Sequence, residues 1–122
     1  MPTTRRTALS AVLALCVVLA GVAAVWGAEQ RALAAEADHV RDRLDGATCL
    51  TDGGVNEGAG PSRSARVTGV SPGGLRVSVT LPYAYTVGAG DDRVFADTAS
   101  EAVYEVGPLG VRRVRGTEID PC

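Results

Sequence analysis

From Thr7 to Ala28 the chain carries no charge, and Arg5 and Arg6 stand directly before this run. Such a segment marks a membrane-inserted or exported protein, with almost everything after it on the far side of the bilayer. Ala8 to Ala28 also lacks proline. Its 21 residues, at about 1.5 Å each, give roughly 31 Å of helix, close to one hydrocarbon core. The centre, Ala11 to Leu19, is rich in Leu and Val. Gly21, Ala23 and Ala24 are small enough to let a neighbouring helix approach. Trp26 sits near the far end, where an indole favours the headgroup zone. Arg5 and Arg6 are the only charges before the run and Glu29 is the first after it. The positive-inside rule therefore predicts a cytoplasmic N-terminus, with residues 29–122 extracytoplasmic.

Three readings of the segment compete. The first choice on length is a retained single-pass anchor in the cell membrane. The second is a cleaved signal peptide, because Val22-Ala23-Ala24 and Ala32-Leu33-Ala34 both have the small-x-small form of a cleavage site. Thr4-Arg5-Arg6-Thr7-Ala8-Leu9 also has a twin-arginine look. The third is a lipoprotein, since Leu13-Ala14-Leu15-Cys16 resembles a lipobox. Leu15 is bulky where that motif needs a small residue, and the apolar run continues past Cys16, which is more simply a small apolar residue in the bilayer.

The chain has room for one anchor and one small domain. Beyond residue 28 it carries ten arginines against 14 acids, a net charge of −4, and it has no lysine. The missing lysine suggests a GC-rich, salt-adapted source. Arginines interspersed with acids argue against nucleic acid as a partner; the expected partner is the lipid bilayer, with helix–helix contacts to other membrane subunits. Cys49 and Cys122 would both lie outside, where disulfides persist, and they bracket the whole globular part. A bridge between them is expected, because small exported domains need such a staple; two free thiols are the alternative.

The expected layout is a basic leader at 1–7, a transmembrane helix at 8–28, an amphipathic extension at 29–46, a Gly-rich loop at 47–64 and an antiparallel β domain at 65–122. The extension is rich in Ala, Glu, Arg and Leu. Leu33, Ala37, Val40 and Leu44 recur at helical spacing and form one apolar packing stripe. The other faces carry Glu29, Arg31, Glu36, Asp38, Arg41, Asp42, Arg43 and Asp45. Gly46 is placed to close the helix. Thr51 to Ser64 holds four glycines and a proline and reads as a loop.

Beyond it, Ala65–Val70 is a short strand and Ser71-Pro72-Gly73-Gly74 a turn. From Leu75 to Val87, apolar and small or polar residues alternate over 13 positions, which predicts a strand with one buried face. Pro82 within it marks an edge, a bulge or a break. Gly88 to Asp92 is a second turn. Short strands are expected at Arg93–Asp97, Ala102–Val106 and Val111–Arg115, the last two joined by Gly107-Pro108-Leu109-Gly110. The fold class is α+β: one long N-terminal helix, transmembrane in its first half and amphipathic in its second, followed by a small antiparallel sheet.

Catalytic chemistry has little to stand on. His39 is the only histidine and is expected to be a solvated surface residue, with no second histidine for a metal or catalytic pair. Cys49 has no CxxC partner. Asp91-Asp92 lacks EF-hand spacing. Gly53 to Gly60 lacks the Lys-Ser/Thr of a phosphate cradle. Asn56-Glu57-Gly58 is not a glycosylation sequon. No catalytic, cofactor-binding or metal-ligating residue is assigned, and the chain is expected not to be an enzyme. An enzyme would need a cleft with perturbed carboxylates, drawn from Asp91, Asp92, Glu101 or Glu105.

The order of these parts resembles type IV pilins and pseudopilins. The likeness lies in a short basic leader, a long helix with apolar and amphipathic halves, a glycine-rich loop, an antiparallel sheet and a cysteine at the end of the chain. It is similar in particular to small one-pass proteins of haloarchaea that accompany pilus-like machinery. Arg6-Thr7-Ala8-Leu9-Ser10-Ala11 carries neither the Gly of a pilin leader nor the Glu at the fifth mature position, so the likeness is architectural. It implies a structural or assembly role. The alternative is a binding module released by signal cleavage.

Overall fold

The computed structural model describes residues 2–55 and 62–122. A single α-helix, α1, runs without a break from Pro2 to Asp45. At 1.5 Å per residue it is about 66 Å long, so the basic leader, the apolar run and the amphipathic extension are one rod. Nothing between Thr3 and Asp45 interrupts it, since the segment contains no proline. Gly46 continues the last turn, its N–H donating to the Asp42 carbonyl at 3.0 Å, and it does so without a left-handed φ.

Five strands follow: β1 (Leu50–Val55), β2 (Ser64–Ser71), β3 (Gly74–Val87), β4 (Val94–Gly107) and β5 (Gly110–Gly116), with a short 3-10 turn at Gly90–Asp92 before β4. They make one antiparallel sheet centred on β3 and β4. On its far side β3 pairs with two strands end to end, β2 along its first half and β1 along its second. The proline question in β3 resolves there. β2 pairing begins at Thr80 and β1 pairing ends at Tyr83, so Pro82 sits between the two ladders, where no donor is required of it.

The sequence reading needs correction at two strands and at one helix residue. Leu50–Val55, expected inside a loop, is a strand; the part of that loop at 56–61 lies outside the described residues. Arg93–Asp97 and Ala102–Val106, expected as separate strands, are one 14-residue strand. Glu36, assigned to a charged face, is fully buried.

The second half of α1 lies across one face of the sheet and runs in the same direction as β3. Ala28, Ala32 and Leu33 pack with Val77, Val79, Ala102, Tyr104 and Val106. Further along, Ala37, Val40 and Leu44 pack with Leu81, Tyr83 and Ile119. The residues of the expected stripe are all buried in these two clusters. Ile119 comes from the tail after β5. Four ties hold that tail: paired hydrogen bonds between Thr117 and Glu101, Arg113 donating to the Thr117 carbonyl, the Arg43 Nε–H donating to the Ile119 carbonyl at 3.1 Å, and the Cys49–Cys122 disulfide, with Cα atoms 5.9 Å apart.

Two hairpins turn at the same end of the sheet with sequences that agree at four of seven positions. Val70-Ser71-Pro72-Gly73-Gly74-Leu75-Arg76 links β2 to β3, and Val106-Gly107-Pro108-Leu109-Gly110-Val111-Arg112 links β4 to β5. Proline holds φ near −65° at the first loop position, which is not the twist a two-residue hairpin prefers. The glycine closing each loop, Gly74 or Gly110, takes up the difference at φ +142°. A Cβ on Gly74 would also strike the Val106 carbonyl, so the two turns are packed side by side.

Candidate functional site

The site that distinguishes this chain is α1 itself. Its first half is bare: the large apolar side chains from Leu9 to Trp26 are exposed, and the apolar stretch packs against nothing. A soluble monomer rarely shows so much contiguous apolar surface. Among the described residues this is the one helix long and apolar enough to cross a membrane. Cys16, a free thiol, lies within it. Arg5 and Arg6 belong to the same helix, in its exposed first turns.

The bare half leads into the domain with no linker. Glu29, the first charged residue after the run, accepts a hydrogen bond from the Val67 N–H at 3.4 Å. Ala28, one residue earlier, is already core. Arg31 donates to the Gly107 carbonyl at 3.3 Å. The end of the apolar run is therefore clamped to the sheet.

Deeper in, the helix is held by a buried polar cluster. Glu36 faces the sheet and is fully buried. Arg113, on β5, grips its carboxylate in bidentate fashion, with both N–H···O distances at 3.0 Å. The Ser100 and Tyr104 hydroxyls, both on β4, donate to the same carboxylate. Arg113 has a further acceptor in the Thr117 carbonyl at 2.9 Å. A register shift between Val103 and Tyr104 sets Arg113 opposite Tyr104, on the helix side. Gly116 leaves the space that the guanidinium needs: a Cβ there would overlap Arg113 and lie 2.8 Å from the Ala102 Cβ.

These contacts decide the protonation of the cluster. Burial raises the pKa of Glu36, but the hydrogen bonds from Arg113, Ser100 and Tyr104, with the Arg113 charge, outweigh it and hold the carboxyl below its ordinary value. Burial and the neighbouring carboxylate push the Tyr104 phenol well above its usual range. Among the described residues no buried side-chain nitrogen or oxygen lacks a partner. Glu36 is a satisfied ion pair, and the cluster locks helix to sheet.

The other carboxylates named from the sequence are not gathered into a cleft with it. Asp91 and Asp92 are exposed in the 3-10 turn. Glu101 and Glu105 lie four residues apart on β4, and Glu105 accepts from the Ser71 hydroxyl at 2.7 Å and from Arg112 at 3.4 Å. The Ser71 hydrogen bond is the main reason its pKa is lowered, helped by Arg112. His39 is half-buried rather than solvated, and burial, together with the Arg113 charge, lowers its pKa. Among the described residues no group of three or more His, Cys, Asp or Glu side chains is placed to hold a metal ion.

The sequence contained a signal for the cluster that the stripe reading passed over. Glu36 lies three residues after Leu33 and four before Val40, on the buried arc itself. Ser100, Tyr104 and Arg113 became partners only through the pairing of β4 and β5. No protein-family model matches the chain, and neither a curated protein nor a solved structure is similar to it at a significant level.

Proposed function

We propose that the chain is a single-pass membrane protein with its N-terminus in the cytoplasm and residues 29–122 outside. Its small domain serves a structural or assembly role, as a pilin-like subunit or an accessory of a pilus-like system. The observation that carries this reading is the continuity of α1: the residue that ends the apolar run, Ala28, also opens the domain core. A tethered enzyme or capture domain gains reach from a flexible linker. A domain fused rigidly to its span instead transmits position and orientation, as a subunit of an assembly must. The protonation pattern agrees. A general acid or base working near neutrality needs a pKa raised toward 7, whereas Glu36 and Glu105 are both lowered.

Photo-crosslinkers placed at Gly21 and Ala24 in intact cells test the role. An assembly subunit gives discrete adducts with other membrane proteins. Adducts with lipid alone would remove the assembly reading and leave a solitary anchor.

One observation favours a second reading, a binding module freed by signal cleavage. Cleavage after Ala24 would leave every core residue in place, because the core begins at Ala28. Cleavage after Ala34 would remove Ala28, Ala32 and Leu33 and empty one side of the first cluster. A released module should therefore begin at Val25 rather than at Ala35.

A further inference from the structure

We infer that the tips of the two hairpins, Val70-Pro72 and Pro108-Leu109, rest in the outer headgroup layer of the bilayer and form a second membrane contact beside the helix. This rests on the reading of α1 as a membrane span.

Three observations carry it. The first is exposure. Leu109 is 103% exposed and Val70 81% exposed, and Pro72 and Pro108 are exposed beside them. Leu109 is an apolar residue at a turn tip, where Gly, Pro, Asn, Asp and Ser are the rule, and Val70 lies in β2 just before the other turn.

The second is height. Val106 packs in the same cluster as Ala28, and β3 runs alongside α1 from this end. A turn tip two residues beyond Val106 reaches about 6 Å further toward the helix N-terminus at the strand rise. Trp26 lies about 3 Å and Val22 about 9 Å below Ala28 at the helical rise. The tips thus stand level with the last apolar turns of the span. Arg31 on Gly107, and Glu29 on the Val67 N–H, fix that height. If Val22–Trp26 are in the membrane and α1 stands close to the bilayer normal, Leu109 meets the headgroup layer.

The third is charge. The cationic groups at this end are Arg31, Arg76 and Arg112, all exposed. The acids facing them, Glu29 and Glu105, accept hydrogen bonds from Val67, Ser71 and Arg112. Three arginines against two acids leave this end net positive, which suits an anionic headgroup layer over an acyl boundary. A rigid span with one lateral foot would have a fixed rotation about its own axis, which an assembly subunit needs.

The test uses the full chain in vesicles of phosphatidylcholine and phosphatidylglycerol, with part of the lipid brominated high on the acyl chain. Trp26 is the only tryptophan, so its own quenching reports on the span. In a Trp26→Phe background, Leu109→Trp reports on the tip. Phe95→Trp, at an exposed position near the opposite end of β4, serves as the control. The inference expects the Leu109→Trp indole to be blue-shifted and to lose most of its emission to brominated lipid, while the Phe95→Trp indole loses none. Quenched Trp26 with an unquenched, water-like Leu109→Trp indole would overturn the second contact and leave the anchor standing. A Leu109→Trp indole that is blue-shifted, unquenched and dependent on protein density would overturn it in favour of a second copy of the chain. An unquenched Trp26 would overturn the anchor and the contact together.

Discussion

Replacing Cys49 and Cys122 by serine should lower the unfolding free energy of the external domain by about 4 kcal/mol, the chain-entropy value for a loop of this length. The bond closes 73 positions, and this span contains the whole sheet. Small domains hold only about 5–15 kcal/mol in total, so the loss is a large share. The damage should start in the tail, where Ile119 is a core residue reached only through residues 117–122. Without the bond, the Arg43 and Thr117 contacts must hold it alone. Urea unfolding of the full chain in detergent, followed by far-UV circular dichroism, reads the midpoint. Protease sensitivity near Thr117 reads the local opening. A double-serine variant with an unchanged midpoint and an uncut tail would show that packing alone closes the domain.

The second large effect is at Glu36. Truncating it to alanine leaves Arg113 half-buried without its carboxylate, and such half-broken pairs typically cost about 3–5 kcal/mol. Arg113→Ala should cost a similar amount, because the fully buried Glu36 charge is then unpaired. The double change Glu36→Leu with Arg113→Met should cost much less than the sum of the two, since a packed apolar replacement of an ion pair is often neutral. The pH dependence follows from the lowered pKa of Glu36. Its contribution is complete above the ordinary value of 4.5 and is lost as pH falls through the lower folded value. Glu36→Gln should flatten that acid limb. His39, also lowered, adds a decline that starts as pH drops below 6.5, and Glu36→Gln should deepen it, because the Glu36 charge opposes the lowering of His39. Urea midpoints measured across the acid range distinguish the two.

How far the fold could be read from the residues depended on the source of each signal. Periodic patterns were legible. The stripe Leu33, Ala37, Val40, Leu44 and the alternation from Leu75 to Val87 each declare a buried face locally; the structure buries the whole stripe and, of the alternation, Val77, Val79, Leu81 and Tyr83, while Pro82 and Ala84 on the other face are buried as well. Elements held by their neighbours were not legible. Leu50-Thr51-Asp52-Gly53-Gly54-Val55 has poor strand propensity, yet it pairs along β3 from Tyr83 to Val87. Ala96 to Glu101 is a run of small and acidic residues, extended because β3 runs beside it from Thr80 to Tyr85. Glu36 is the sharpest case. Charge suggested solvent, while its place in the helical arc and its partners 64 to 77 positions away put it in the core. Pairing over such distances leaves no periodic trace in a single sequence. The likeness of the hairpins at Val70–Arg76 and Val106–Arg112 is present in the residues, but a match at four of seven positions, 36 apart, stands out only once both turns are seen at one end of the sheet.

The decisive measurement is the mass of the mature protein, taken separately from membrane and extracellular fractions. A rigid, retained rod requires a species that keeps residues 8–28 and is confined to the membrane. A start near Thr7 or Ala8 in that fraction would add leader processing and strengthen the pilin-like role. A soluble extracellular species beginning near Val25 would contradict the anchor, and with it the assembly role proposed for this chain.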